Sequence, residues 1–410
     1  MVKTTIRIAA AILLSAGPMA ARAAAQAPAA PLTFSAALDL AASRNLDLAA
    51  IKRQRAIREA QVRVARQWAN PAVGFEVTKD SPHENLTFDF PLPLGGVRGR
   101  QIDLAKEELT LADVDEKAAM RTLRRNLREA FYGLLGSDER LRLAEDVVGL
   151  VRRTREAAQA RFEEGAAPRL DVLAANLGLA RAESDLAMAR SARTAALAGL
   201  NAVLNQPPAE AVAVVGDLAE APPPPDFARA MALAAASNGE LMAAEREAAI
   251  EARRLSLIRA ERVPQPTVTF GLPMNAPGEF TVGAAVGVAM NVPLFNRSQG
   301  EIAASQAAIT QIHARRDAAR RTVESAVFSA LARIEAQRQR VESFRTRVIP
   351  TATELADLAE ESYKAGRSPL LMLIEAQRAL RDAKRDYLDA LAEFQAALAD
   401  LEEVIGGPIA

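Results

Sequence analysis

The sequence lacks cysteine altogether, which excludes disulfides, thiolate metal sites and cysteine nucleophiles. It has only two histidines among 410 residues, too few for an ordinary zinc or copper site. Its formal net charge is zero, so the basic excess typical of a nucleic-acid-binding protein is missing. The glycines near residue 95 lack the lysine and the βαβ context of a phosphate-binding loop. We therefore predict a protein that is not an enzyme, with no cofactor and no nucleic-acid partner.

Long apolar runs are also missing, because no segment after the N-terminus has 18 consecutive uncharged apolar residues. Residues 1–25 are typical of a signal peptide, with Lys3 and Arg7, a short apolar run at 8–14 and small residues around 21–25. A disordered alanine-rich tail is the alternative. The pattern predicts an exported chain that, if it enters a membrane, does so with strands.

The sequence repeats itself. A shift of 193 positions aligns Asn45 with Asn238, and a shift of 201 aligns Gly165 with Gly366. Four consecutive prolines interrupt the chain between the copies and favour an extended spacer. We predict a first structural repeat at 26–220, a Pro-rich linker at 221–226 and a second repeat at 227–410. Internal duplication of this kind is typical of a repeat architecture.

Each copy contains a very long predicted helix. No proline occurs between Arg98 and Glu164, a stretch that as a helix would be about 100 Å long. The second copy has one proline there, Pro350, whose first-copy counterpart is Gly149. Both residues weaken helices, so we expect a bend at this height in each copy. The apolar residues have coiled-coil spacing, and a soluble periplasmic coiled-coil structural protein is the simplest alternative.

Two predicted β-hairpins distinguish the chain from a helical rod. They lie at about 72–92 and 266–293, where apolar residues alternate with polar or small ones. One apolar face fits a membrane barrel wall with lipid outside and water inside. Four strands cannot close a barrel, and open strand edges cannot face lipid. We therefore predict a mixed fold: a long periplasmic α-helical coiled-coil barrel with four transmembrane strands per chain, closed by a trimer as a twelve-stranded barrel.

Two strand-to-helix turns resemble the TolC family of outer-membrane efflux proteins. Residues 91–99 read Pro-Leu-Pro-Leu-Gly-Gly-Val-Arg-Gly, and residues 292–300 read Val-Pro-Leu-Phe-Asn-Arg-Ser-Gln-Gly. Both turns are similar to those of the cobalt–zinc–cadmium efflux branch of that family. The resemblance extends over nearly the whole chain after the predicted signal peptide.

The resemblance implies a homotrimer in the cell outer membrane with a large periplasmic part. It implies docking to a periplasmic adaptor and an inner-membrane pump of the resistance-nodulation-division class. The duct itself is then passive, and the turn signatures favour heavy-metal cations as cargo. Drugs or organic toxicants are the main alternative cargo, and a protein-secretion duct is a further one.

The same resemblance places adaptor docking and the periplasmic gate at the helical tips. Candidate docking residues are Gly165, Pro168, Gly366 and Pro369, although helix termination and initiation also explain them.

Candidate gate residues are Asp171 and Glu375, with Arg169 and Arg367 as partners across subunits. Rings of acids favour cations, but Met372 replaces the second-copy counterpart of Asp171. The alternative is that both acids simply complement helix N-termini.

Overall fold

The computed structural model describes residues 31–409 and shows the same series of elements twice. The predicted signal peptide, residues 1–25, lies outside the described residues. The first copy contains α1 (Phe34–Arg44), α2 (Leu46–Ala65), β1 (Ala72–Val77), β2 (Glu84–Pro91), α3 (Val97–Glu163) and α4 (Arg169–Val203). The second contains α5 (Phe227–Ser237), α6 (Gly239–Glu261), β3 (Pro266–Ala276), β4 (Phe280–Val282), β5 (Ala285–Met290), α7 (Gln299–Ser343), a π-helical turn (Phe344–Val348), α8 (Ile349–Lys364) and α9 (Leu370–Ile405). The predicted duplication is confirmed.

Each copy begins with two helices that meet at an asparagine. Asn45 and Asn238 have extended backbone angles, and each ends one helix and begins the next. The Asn45 Oδ1 accepts a hydrogen bond from the Leu48 N–H at 2.7 Å. The Asn238 Oδ1 accepts from the N–H groups of Glu240 and Leu241 at 3.1 Å. These side chains satisfy N–H groups that have no partner within the helix, and so fix the same joint in both copies.

The two long helical columns differ at one height. α3 runs for 67 residues without interruption, about 100 Å at about 1.5 Å per residue. Its second-copy counterpart changes to a π-helical turn directly before Pro350, because proline has no N–H and crowds the preceding turn. Gly149 keeps its N–H, and α3 stays α-helical through it. Of the two positions where the sequence predicts a bend, only Pro350 lies beside an interruption of the α-helix. Among residues 31–409, no helix is both long and apolar enough to cross a membrane.

The two hairpins join into one antiparallel sheet. Its strand order is β1, β2, β3, and both β4 and β5 pair with β3. Since β4 and β5 lie one after the other along β3, they form a single fourth strand that is interrupted at residues 283–284. The prediction of four strands per chain is confirmed. Within residues 31–409, the outer edges of β1 and of the fourth strand pair with no further strand.

The two faces of the sheet differ in polarity. On one face the rows across the strands are apolar: Val73, Phe88, Phe270 and Val286; Phe75, Leu86 and Leu272; Phe90, Val268 and Val288. On the other face the rows are small or polar: Gly74, Thr87, Gly271 and Ala285; Ala72, Asp89, Thr269 and Gly287. The apolar face is largely exposed in the single chain, with Val286 70% exposed. This is the alternation of a wall between lipid and water.

A buried ion pair holds the two copies together in the helical body. The Arg128 Nη1 lies 3.1 Å from the Glu402 Oε1, and both side chains are only 7% exposed. Arg128 also donates to the Gln395 Oε1 at 3.0 Å, and Gln395 donates to the Leu218 carbonyl at 2.8 Å. Breaking a buried pair leaves an uncompensated charge and typically costs about 3–5 kcal/mol. α3 of the first copy and α9 of the second are thereby fixed together.

Candidate functional site at the helical tips

Both long helical hairpins end in the same turn. Gly165 has φ of 74° and Gly366 has φ of 73°. In each turn the glycine N–H donates to the carbonyl three residues earlier at 3.0 Å, and the following N–H donates to the carbonyl five residues earlier at 2.8 and 2.9 Å. This is the Schellman arrangement, which requires a left-handed residue that glycine supplies without strain. Two glycines therefore determine the geometry of both tips.

The tip prolines lie immediately before the returning helices. Pro168 and Pro369 occupy the N-cap positions of α4 and α9, with ψ of 153° and 155°. The sequence pattern predicted that each proline lies within the first helical turn. In the structure each helix begins at the residue after the proline. The N-cap suits proline because its N–H is not needed there and its fixed φ is compatible with an extended residue. Turn and proline together fix where the next helix starts.

The apolar core of the tip comes mainly from the second copy. Tyr363, Leu370 and Leu373 are each 2% exposed. The first copy contributes Ala158 and Ala175, which are 0% and 2% exposed. Large side chains of one hairpin thus fill the space left by small side chains of the other.

An arginine of the first copy crosses to Tyr363 of the second. The Arg161 Nη1 donates to the Tyr363 carbonyl at 2.7 Å, and its guanidinium lies 4.8 Å from the centre of the tyrosine ring. The Tyr363 hydroxyl is buried and forms no hydrogen bond within the described chain. Burial raises the pKa of this hydroxyl, the Arg161 cation opposes the increase, and the Asp171 carboxylate adds to it. Asp171 of the first copy is therefore an electrostatic neighbour of the second-copy tyrosine.

The gate candidates lie at the tips but do not pair with one another within one chain. Arg169 and Asp171 occupy the first turn of α4, where Arg169 is exposed and Asp171 is half-buried. Arg367 is exposed in the second turn. In residues 31–409, no ion pair joins Asp171 or Glu375 to Arg169 or Arg367.

On α9 the local pairing is different. The Glu375 Oε1 lies 2.6 Å from the Arg378 Nη1, and both side chains are about half exposed. Met372, at the position equivalent to Asp171, is 59% exposed. The second-copy tip thus presents a thioether where the first presents a carboxylate.

Comparison with known families decides what kind of protein carries these tips. Residues 37–206 and 230–407 match the model of the family described as outer membrane efflux protein. The chain belongs to the outer membrane efflux protein family. The two matched segments each contain one β-hairpin and one helical tip of this efflux protein. The family consists of transport channels and is not a class of enzymes.

Individual relatives agree with this assignment. The cobalt-zinc-cadmium resistance protein CzcC of Cupriavidus metallidurans is 27% identical over 385 residues, which cover 92% of this efflux protein and 90% of CzcC. A membrane protein of known structure from Pseudomonas aeruginosa is 18% identical with a TM-score of 0.77, covering 92% of this chain and 90% of that one. CusC is 15% identical with a TM-score of 0.76, covering 91% of this chain and 92% of its own. The structural likeness shows a shared fold, and the predicted TolC-type fold is confirmed.

The sequence analysis did not predict two interacting pairs of residues near the tips. Arg161 and Tyr363 lie in the tip segments but had no predicted role. Aligning the copies sets Tyr363 against Phe162. The extra hydroxyl of Tyr363 marks a difference between the two tips that the sequence shows, but the burial of that hydroxyl cannot be inferred from the sequence. The second pair is Thr154 and Gln377, 6% and 8% exposed, with the Gln377 Nε2 donating to the Thr154 Oγ1 at 3.0 Å. This pair lies in the wall of a groove of about 550 Å³ between α3, α4 and α9.

Proposed function

We propose that this efflux protein is the outer-membrane duct of a tripartite exporter and that it works as a homotrimer. The observation that carries the proposal is the sheet, which has one apolar face, two open edges and a direct connection to helices about 100 Å long. Backbone groups at an open edge cannot be satisfied in lipid. Three four-stranded sheets close into a twelve-stranded barrel and remove every edge.

The dimensions support a spanning sheet. β3 has 11 residues, about 36 Å along the strand, and a tilt of about 40° brings this close to an apolar band about 25 Å tall. The apolar rows then face lipid and the small, polar rows face a water-filled lumen. The helices extend into the periplasm.

Cysteine cross-linking tests the closure directly, because the natural chain has no cysteine. We expect Gly74→Cys on β1, combined with cysteines at Ala285, Gly287 or Ala289 of β5, to give covalent dimers and trimers in at least one register. The matched control combines Gly74→Cys with Gly271→Cys, which lies on β3 between two strands of its own chain. Exclusively monomeric products from all β5 combinations would contradict the trimeric barrel.

We further propose that the tips bind a periplasmic adaptor, which links the duct to an inner-membrane pump of the resistance-nodulation-division class. Gly165, Pro168, Gly366 and Pro369 support this role by shaping two tips with the same backbone. The duct is passive, and the pump supplies the energy.

The charged tip residues are proposed to close the periplasmic mouth. Asp171 and Arg367 have no ion-pair partner within the described chain, so partners on a neighbouring subunit would satisfy them without breaking existing pairs. The same holds for Arg169, while Glu375 would exchange Arg378 for a partner in trans. Threefold repetition turns each acid into a ring that favours cations.

Charge reversal tests the gate. We expect Arg367→Glu to raise ion conductance of the purified protein in planar bilayers, because an attraction across subunits becomes a repulsion. Arg153→Glu is the control, since Arg153 is an exposed arginine of α3 about 15 Å before the tip. Equal conductance of the two variants and the natural protein would remove Arg367 from the gate.

Heavy-metal cations are the proposed cargo. The 27% identity to CzcC, whose name records cobalt, zinc and cadmium resistance, supports this choice. We expect a strain without the protein to become sensitive to these metals and to recover when the gene is restored. Sensitivity confined to dyes, solvents or antibiotics would instead assign organic toxicants as cargo and leave the duct architecture intact.

A further inference from the structure

The joints between strands and helices carry a strong excess of arginine. Segments 62–71, 92–100, 259–265 and 292–300 contain seven arginines and a single acid, Glu261, in a chain whose total charges balance at 51 and 51. We call these arginines the arginine collar. The collar consists of Arg63, Arg66, Arg98, Arg100, Arg259, Arg262 and Arg297.

The opposite end of the sheet has the opposite charge. The hairpin turns contain Asp80, Glu84 and Glu279, with Lys79 as the one cation in residues 78–84 and 276–280. The sheet therefore separates a basic end, next to the helices, from an acidic end. A charge difference across the apolar sheet distinguishes the two leaflets that its ends would meet.

Helix electrostatics explains only part of the collar. Arg63, Arg66, Arg259 and Arg262 lie at the C-terminal ends of α2 and α6, where the helix dipole favours cations. Arg98 and Arg100 lie in the first turn of α3, which has no acid, and Arg297 directly precedes the N-terminal end of α7. Cations are unfavourable at helix N-termini, which attract anions instead. Arg98 donates to the Arg66 carbonyl. Arg100 donates to the Ser256 Oγ at 3.1 Å and to the Gly95 carbonyl at 2.6 Å. These neutral acceptors leave the charges of the three arginines without an anion in the described part of the chain.

The collar also lacks internal counter-ions. Within residues 31–409 none of its seven arginines forms an ion pair with an acidic side chain. Deeper in α2 and α6 some arginines do have acidic partners: Arg58 lies 3.2 Å from Glu108, and Arg254 lies 2.7 Å from Glu251. Among the described residues, no collar arginine has one. Five collar side chains are exposed, and Arg98 and Arg100 are half-buried.

Exposed apolar side chains lie at the same level. Trp68 is 64% exposed, and the Arg98 guanidinium lies 4.6 Å from its ring centre. Leu294 and Phe295 are 63% and 94% exposed. Hydrogen bonds tie the joints of the two copies together, such as that from the Leu92 N–H to the Pro266 carbonyl at 2.9 Å. Tryptophan and other amphipathic side chains are typical of the headgroup level of a bilayer.

We propose that the arginine collar binds the phosphate groups of anionic phospholipids in the leaflet that faces the helices. The proposal rests on the duct function above, which puts the sheet in a bilayer. Guanidinium groups match phosphate geometry through paired N–H donors, and basic clusters beside apolar membrane segments select anionic headgroups. The exposed apolar side chains at the same level, Trp68, Leu294 and Phe295, then contact the acyl chains of the same lipids.

The test compares two triple variants of the full-length protein. The collar variant carries Arg66→Gln, Arg262→Gln and Arg297→Gln, three exposed side chains that make no side-chain hydrogen bond or ion pair within residues 31–409. The control variant carries Arg315→Gln, Arg320→Gln and Arg321→Gln, which are also exposed and without an ion pair among the described residues. These control positions lie on α7 about 24–33 Å beyond its start, and so beyond the headgroups.

Each protein is reconstituted into vesicles of phosphatidylethanolamine with a minority of phosphatidylglycerol. Flotation on a density gradient first reports incorporation. The vesicles are then dissolved in mild detergent, and the ratio of the two lipids that remain with the purified protein is determined by mass spectrometry. A basic side chain at an anionic surface strengthens binding about fivefold. We expect enrichment of phosphatidylglycerol with the natural protein and the control variant, and a loss of at least about tenfold in that ratio with the collar variant.

An unchanged lipid ratio in the collar variant, or an equal loss in the control variant, would overturn the proposal while leaving the duct function standing. Failure of the natural protein to float with vesicles would overturn both, and the gradient reports this before any lipid is counted. If the collar variant does not assemble, Arg297→Gln alone provides the comparison, with an expected loss of about fivefold. No loss in that variant would equally count against the collar.

Discussion

At the first-copy tip Phe162 is 39% exposed, whereas its second-copy counterpart Tyr363 is 2% exposed. A second difference in burial follows the turn, where Arg169 is exposed and its counterpart Leu370 is 2% exposed. The backbones of the two turns nevertheless share their hydrogen bonds and their left-handed glycines. The two copies thus share the residues that shape the turn. The side chains beside the turn have diverged, so that the second-copy hairpin contributes large buried side chains and the first-copy hairpin contributes small ones.

Truncating the buried Tyr363 side chain should have the largest effect on the stability of the tips. We expect Tyr363→Ala to destabilise the tips by about 3–5 kcal/mol, because it empties the centre of their core. Phe162→Ala should cost less than about 1 kcal/mol, since that ring is partly in water. Amide hydrogen exchange of segments 158–176 and 355–378 measures the difference. Similar losses of protection in both variants would show that Tyr363 does not contribute more to the tip core than Phe162 does.

Removing the crossing arginine should have an intermediate effect. Arg161→Ala deletes the hydrogen bond to the Tyr363 carbonyl and the contact with the ring. For a half-buried cation we expect a loss of about 1–2 kcal/mol, seen as faster exchange at both tips. Ser362→Ala, at the equivalent second-copy position, is the matched control and should change little. An effect confined to the first tip would argue against coupling between the hairpins.

Replacing the turn glycines should affect both tips equally. Gly165→Ala and Gly366→Ala each force a side chain into a left-handed backbone, at a cost of about 1–2 kcal/mol. Gly199→Ala makes the opposite change within helix α4, where an added methyl group has open space and should stabilise by up to about 1 kcal/mol. Thermal unfolding and exchange at the tips give the sign for each variant. A clearly larger cost at one turn than at the other would contradict their equivalence.

The smallest effect concerns pH. Burial raises the pKa of Tyr363 above its ordinary value, so the neutral hydroxyl stabilises the folded tip below that value, and this contribution is lost as the pH rises through the folded pKa. Tyr363→Phe keeps the ring and removes a buried hydroxyl that has no partner in the described chain, and should be close to neutral at pH 7. We expect the variant to lose the alkaline part of the stability profile recorded by tip exchange. An identical alkaline profile in the two proteins would assign it to other groups.

Local patterns predicted most of the fold. The proline-free stretch gave α3 within one residue at each end, and the alternating segments gave four strands. Tyr363 shows the limit of such patterns: the residues that pack with it include Ala158 and Ala175 of the other copy, about two hundred positions away, and nothing in its own helix indicates them. Gly149 shows the same limit within a helix, because its neighbours stabilise a continuous α3 despite its poor propensity. The roles of Asp171, Glu375, Arg169 and Arg367 stay predictions, since they depend on subunit contacts that a single chain does not contain.

The open edges of the sheet also set the order of assembly. A single chain satisfies the backbone groups of β2 and β3 by itself, but β1 and the fourth strand carry unpaired donors and acceptors along their outer sides. In the proposed membrane barrel, insertion of a single chain would leave those groups without hydrogen-bond partners, so the proposed barrel would form only after several chains have met. For the proposed trimer, barrel formation should therefore follow concentration-dependent kinetics, and single chains with open sheet edges should depend on holdase chaperones until partners arrive.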